Sequence, residues 1–131
     1  MSDTIQVRVY YEDTDLAGIV YYANYLKYIE RGRTEYVRAR GIDQRILRDV
    51  SGVVFAVRRV EADYIAPARY DDELSVVTRV LKLTGARVVM HQSVLRGEQL
   101  LFEAGGTLVA LTTEGRPARL PAELRQQIGG P

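Results

Sequence analysis

Y-A-N-Y-L-K-Y-I-E-R-G-R-T-E-Y-V-R-A-R, residues Tyr22 to Arg40, is the stretch from which the fold follows. Tyr22, Tyr25, Leu26, Ile29, Tyr36 and Val37 recur at the steps of one helical face. Lys27, Glu30, Arg31, Glu35 and Arg38 fall mostly elsewhere on that helix. Asn24 is a candidate cap if the helix begins slightly after Tyr22. Gly41 suits the position just past its end. Gly32 interrupts the helix at a cost of about 1 kcal/mol against alanine. Close approach of a sheet wrapped around the helix is a physical reason to keep it.

On both sides of this helix the pattern is that of strands. Apolar and polar residues alternate from Ile5 to Val9, within a strand-like run that reaches Tyr11. After a connector from Ile42 to Gly52 come four long stretches of strand character. They are Val53 to Ile65, Glu73 to Leu83, Arg87 to Leu95 and Leu100 to Thr112. Pro67 to Asp72, Thr84-Gly85 and Arg96-Gly97-Glu98 separate them, and the short turns predict antiparallel neighbours. Pro121 to Ile128 reads as a short terminal helix, with Pro121 suited to a first turn. One helix cannot cover both faces of a five-stranded sheet, so the economical solution curls the sheet around it. The expectation is an α+β chain in one domain, residues 1–131, with its uncovered sheet face or edge managed by oligomerisation.

Composition narrows the chemistry. Lysine and arginine number 18 against 17 acids, a balance that gives no electrostatic case for nucleic acid. There is no cysteine, hence no disulfide, thiol nucleophile or thiolate metal site. A single histidine, His91, excludes a metal site built from several histidines. The N-terminus has neither the basic nor the apolar region of a signal peptide. No apolar run approaches the length of a membrane span. The expected compartment is the cytoplasm, without a membrane anchor. Chemistry must come from carboxylates, hydroxyls, backbone amides or a bound cofactor.

Glu12-Asp13-Thr14-Asp15 followed by Leu16-Ala17-Gly18 places an acidic, glycine-containing loop between the first strand and the long helix. A helix start exposes unpaired N–H groups and carries partial positive charge. Amides near Ile19 to Tyr22 could therefore polarise a carbonyl that becomes an oxyanion. A carboxylate on the preceding loop could attack that carbonyl or activate water, and Asp15 is the best-placed candidate. Crowding by Glu12 and Asp13 would suit a base. The same three acids also suit a solvated turn that caps the helix. Seven of the nine tyrosines lie between Tyr10 and Tyr36, where core and contact roles compete with chemistry.

At this segment the chain resembles the 4-hydroxybenzoyl-CoA thioesterase family of hotdog proteins, and within it the YbgC-like branch. Val9-Tyr10-Tyr11-Glu12-Asp13-Thr14-Asp15, Gly18-Ile19-Val20-Tyr21, Asn24-Tyr25 and Glu30 to Glu35 carry the resemblance. A second block follows in Val54 to Arg58, Tyr64 to Arg69 and Asp71-Asp72. The match covers nearly the whole chain, in order, which is far more specific than a short pattern. It implies a curved antiparallel five-stranded sheet around one long helix. It implies hydrolysis of an acyl-CoA thioester with no metal or redox cofactor. Asp15 matches the aspartate of the family's D-x-x-G motif, as nucleophile or general base, with Gly18 completing it. The amide near Tyr22 would polarise the thioester, with Ile19 beside it, and Tyr11 would line the site. Lys82, Gly85 and Arg87 flank the turn where the family binds its nucleotide. A homodimer or homotetramer is expected.

One departure stands out. The branch usually has histidine where this chain has Tyr22, a change that leaves a backbone amide intact but removes a side-chain proton shuttle. A hotdog dehydratase would also want histidine near the helix start, and this chain has none there. The rival of another class is a non-catalytic acyl-CoA or acyl-carrier binding module, in which Asp15 would be dispensable. His91 lies in a strand-like stretch and reads as structural.

Overall fold

The computed structural model describes residues 2–129. Five strands, β1 (Ser2–Arg8), β2 (Val53–Tyr64), β3 (Glu73–Leu83), β4 (Arg87–Arg96) and β5 (Gln99–Thr112), form one sheet in the order β1-β3-β4-β5-β2. Every neighbouring pair is antiparallel. Helix α1 (Asn24–Ala39) lies on one face. Register shifts at Val57/Arg59, Val80/Lys82 and Val94/Leu95 add local bending, as bulges do. Gly97, at φ +60°, opens the tight turn joining β4 to β5.

β1 ends earlier than its sequence suggests. Asp13 draws the chain out of the sheet: its N–H donates to the Tyr10 carbonyl, and its carboxylate accepts the Tyr10 N–H at 2.8 Å. Tyr11–Asp13 is therefore a single 3₁₀ turn. The connector contains a short helix, α2 (Gln44–Ile46), capped by Asp43, and then one π turn. A third helix, α3 (Ala122–Ile128), closes one end of the core.

Helix α1 buries Tyr25, Tyr28, Ile29, Gly32, Tyr36 and Val37. Tyr22 and Leu26, expected on this face, are exposed instead, and Tyr28 takes their place. The buried stripe is rotated because the sheet passes under Gly32. An added Cβ there would lie 2.7 Å from Thr78 Oγ1 and 2.9 Å from Val76 Cγ1. The close approach expected of Gly32 is therefore present. Beneath it, Gln92 donates to the Ile29 carbonyl at 2.7 Å and to Thr78 Oγ1 at 2.9 Å. This satisfied polar layer separates two apolar clusters, one around Tyr25, Tyr28 and Phe102, the other around Tyr36, Met90 and Ile128. Among the described residues no helix is long and apolar enough to cross a membrane.

Candidate active site

Asp15 occupies the mouth of a three-residue hairpin loop. Thr14 bridges to Val20, the Asp15 N–H donates to the Ile19 carbonyl at 2.9 Å, and the Gly18 N–H returns to the Asp15 carbonyl at 2.9 Å. Gly18 has φ +80°, the left-handed conformation such a loop requires of its last residue. The Asp15 carboxylate accepts the Ala17 N–H through Oδ1 at 2.9 Å. Both defining residues of D-x-x-G thus have a turn-forming reason to be there. The same bonding holds an exposed carboxylate in a fixed direction, with the fully exposed Leu16 beside it.

The hairpin is tied to the helix start. Tyr21 donates its N–H to the Asp13 carbonyl at 2.9 Å, and the Asn24 N–H donates to the Tyr21 carbonyl at 2.8 Å. Asn24 is not a cap. The N-cap of α1 is Ala23, which offers no side-chain acceptor, and the Asn24 side-chain amide donates to the Asp13 carbonyl at 2.8 Å. Among the described residues, the Tyr22 and Ala23 amides donate to no protein acceptor. A helix starting on alanine gives up about 1 kcal/mol against a capping residue and leaves its first amides open to an anion.

Tyrosines surround these amides. The Tyr64 hydroxyl donates to the Tyr22 carbonyl at 3.1 Å, and the two rings meet edge to face at 6.0 Å. Burial pushes the Tyr64 hydroxyl above its ordinary value, so it stays a donor at neutral pH. The Tyr22 ring is 61% exposed and borders Tyr21 at 5.0 Å. Tyr11 is exposed and outside this group of rings, with Tyr70 at 6.4 Å. Ile19 bridges to Arg69, docking the hairpin on the loop that precedes β3.

Lys82, Gly85 and Arg87 are not part of this cluster. The hairpin adjoins the Glu73 end of β3, whereas these three residues lie at its Leu83 end. Eleven residues of strand separate them, roughly 33 Å along the chain. Thr84 Oγ1 accepts the Ala86 and Arg87 amides and shapes that turn. Among the described residues neither Lys82 nor Arg87 has a carboxylate within ion-pair distance. Arg119, which the sequence did not single out, lies flat against Gly85: an added Cβ there would meet its Cζ at 3.0 Å. Nothing local in the chain signals that contact. A cavity of about 290 Å³ opens at this same end, between α1 and β2, lined by Arg33, Thr34, Phe55, Val57, Met90 and others. His91 lies on β4 with Glu103 at 3.5 Å, away from the hairpin.

A five-stranded antiparallel sheet packed on one long helix is the fold of the hotdog thioesterases. The thioesterase superfamily model matches residues 17–103. The acyl-CoA thioesterase YbgC of Haemophilus influenzae is 39% identical over 121 residues, covering 91% of this chain and 88% of that protein. The acyl-CoA thioester hydrolase YbgC of Escherichia coli O157:H7 is 38% identical, covering 90% and 89%. Among solved structures, a probable thioesterase from Bartonella henselae superposes with TM-score 0.89 at 40% identity, covering 92% of this chain and 100% of that one. A 4-hydroxybenzoyl CoA thioesterase mutant complexed with 4-hydroxybenzoyl CoA superposes with TM-score 0.90 at 26% identity, covering 98% and 99%. The chain belongs to the thioesterase superfamily of hotdog proteins, in its YbgC branch.

Proposed function

We propose that this protein hydrolyses acyl-CoA thioesters to free acid and CoA, with Asp15 as nucleophile or general base. The observation that carries the reading is the hairpin laced to an uncapped helix start. It presents a fixed carboxylate and two free amides on one connected unit. The thioester carbonyl seats against the Tyr22 amide, where the helix dipole and the absence of a competing cap favour a developing oxyanion. Tyr22 borders that seat, Gly18 and Ile19 shape the loop that carries Asp15, and Tyr11 stands at the base of that loop beside Tyr70.

One protomer does not complete the site. The basic residues Lys82 and Arg87 lie a strand's length from Asp15, further than one pantetheine arm reaches. β2 is a twelve-residue edge strand, with Val57, Val60 and Tyr64 exposed. An unprotected edge of this length calls for a partner. Antiparallel pairing of β2 with a second copy brings the Tyr64 end of one against the Val53 end of the other. The Asp15 hairpin of each copy then faces the cavity and the Thr84-Gly85 turn of its mate. A homodimer, alone or within a tetramer, is the smallest active unit on this reading.

The test is thiol release from acetyl-, butyryl-, benzoyl- and 4-hydroxybenzoyl-CoA, wild type beside Asp15→Asn. Turnover in the wild type that disappears in the folded variant supports the reading. Equal background rates throughout would favour a binding module.

A further inference from the structure

Asn24 opens helix α1, yet its side chain is spent backwards on the loop. Its Nδ2 donates to the Asp13 carbonyl, eleven residues earlier in the chain, at 2.8 Å. That same carbonyl accepts the Tyr21 N–H at 2.9 Å, and Tyr21 in turn accepts the Asn24 N–H at 2.8 Å. One oxygen, two residues before Asp15, is thus gripped from both sides of Tyr22. One helical turn further on, the Tyr28 hydroxyl is buried. That hydroxyl makes no hydrogen bond of normal geometry among the described residues. Burial and Asp13 together push it well above its ordinary value. Asn24 and Tyr28 lie on one helix face by their spacing, and that face meets Asp13.

We infer that Asn24 is a positioning residue, which sets the distance between the Asp15 carboxylate and the free amides at Tyr22 and Ala23. The inference rests on the proposed thioesterase reading. Its physical basis is that the hairpin and the helix start have few other ties. Beside the covalent link through Val20 and Tyr21, they join at the Asp13 carbonyl, and the remaining bonds run through Ala68 and Arg69. An asparagine that capped the helix would instead cover the amides the oxyanion needs. A misplacement of about 1 Å between reacting groups costs up to roughly a hundredfold in rate.

Asn24→Asp separates this role from a merely structural one. Aspartate has the same shape and is favoured in the first turn of a helix, so the helix start is kept. It has no N–H to donate, and it sets an acceptor against the Asp13 carbonyl. The expected result, with butyryl-CoA and 4-hydroxybenzoyl-CoA as probes, is a kcat at least tenfold lower with KM within about threefold of wild type. Asn24→Ser, which keeps a donor, recovers part of the loss. A kcat within twofold of wild type, or a change in KM alone, would overturn the inference. Asn24→Ala repeats the measurement without added charge if the aspartate variant does not fold. Asp15→Asn is run alongside. If that variant keeps full activity, the site reading itself fails, whatever Asn24 does.

Discussion

Gly32 on α1 sits over Thr78 on β3 so closely that a single added methyl group would lie 2.7 Å from the Thr78 hydroxyl oxygen. Helix propensity alone favours Gly32→Ala by about 1 kcal/mol. The contact reverses the sign. Val76 Cγ1 and Gln92 Nε2 crowd the same point at 2.9 and 3.1 Å, and that nitrogen is itself fixed by two hydrogen bonds. Gly32→Ala is expected to destabilise the fold by about 1–3 kcal/mol, as overpacking does. Urea unfolding read by circular dichroism checks it.

Asp15 serves the turn and the chemistry through different properties. Asparagine still offers Oδ1 to the Ala17 amide, so Asp15→Asn is expected to unfold at the wild-type midpoint. It should lose at least a hundredfold in turnover, the lower range for a lost acid–base group. Asp15→Ala removes the hydrogen bond as well, and should lose about 0.5–1.5 kcal/mol of stability in addition. Paired thermal melts and thiol-release assays separate the two effects.

Asp72 holds the loop on which the hairpin docks. Burial works against its charge, but the Arg69 amide and the Arg96 guanidinium, each at 2.8 Å, outweigh that and hold its carboxyl below the ordinary carboxylate value. A lowered folded-state pKa means stability that is present above the unfolded value. It is lost as pH falls through the folded one. The wild type should therefore lose stability below about pH 4. Asp72→Asn should be less stable at pH 7 by about 1.5–3 kcal/mol and should show a shallower acid loss. Denaturant midpoints measured from pH 7 to pH 2 give both quantities.

Lys82 and Arg87 are expected to recognise phosphate and not the acyl group. The double substitution Lys82→Ala/Arg87→Ala should raise KM for an acyl-CoA by roughly tenfold, the value of about 1.4 kcal/mol. It should leave the rate with the corresponding acyl-N-acetylcysteamine, which carries no phosphate, unchanged. Steady-state kinetics on the two substrates decide it.

Val60, on the exposed edge strand, tests the completed site. Val60→Lys places a charge where β2 would meet its copy, a substitution that natural edge strands use to block pairing. The variant is expected to sediment as a monomer with an intact circular-dichroism spectrum and to have lost turnover.

The architecture was largely legible in the chain because its signals are local. Strand alternation near Ile5 to Val9, the helical period from Tyr22 and the turns at Thr84-Gly85 and Arg96-Gly97 each depend on neighbours a few residues away. The D-x-x-G turn is local too, since Asp15 bonds Ala17 and Gly18 supplies the left-handed residue. That locality is why a carboxylate at a helix start could be proposed from residues alone, and why the family resemblance ran nearly end to end. The order of elements and the candidate carboxylate are therefore written in residues close together in the chain.

Tertiary structure decided everything that depends on where one element passes another. It turned Tyr22 and Leu26 outward and Tyr28 inward, because the approach of β3 beneath Gly32 sets the rotation of the helix. It sent the Asn24 side chain eleven residues back to Asp13 in place of capping its own helix. It laid Arg119 on Gly85, and it set Lys82 and Arg87 a strand's length from Asp15. Each of these is a contact between segments far apart in the chain. Propensity and periodicity carry no record of such distances, because a side chain's partner is fixed only when the sheet closes around the helix.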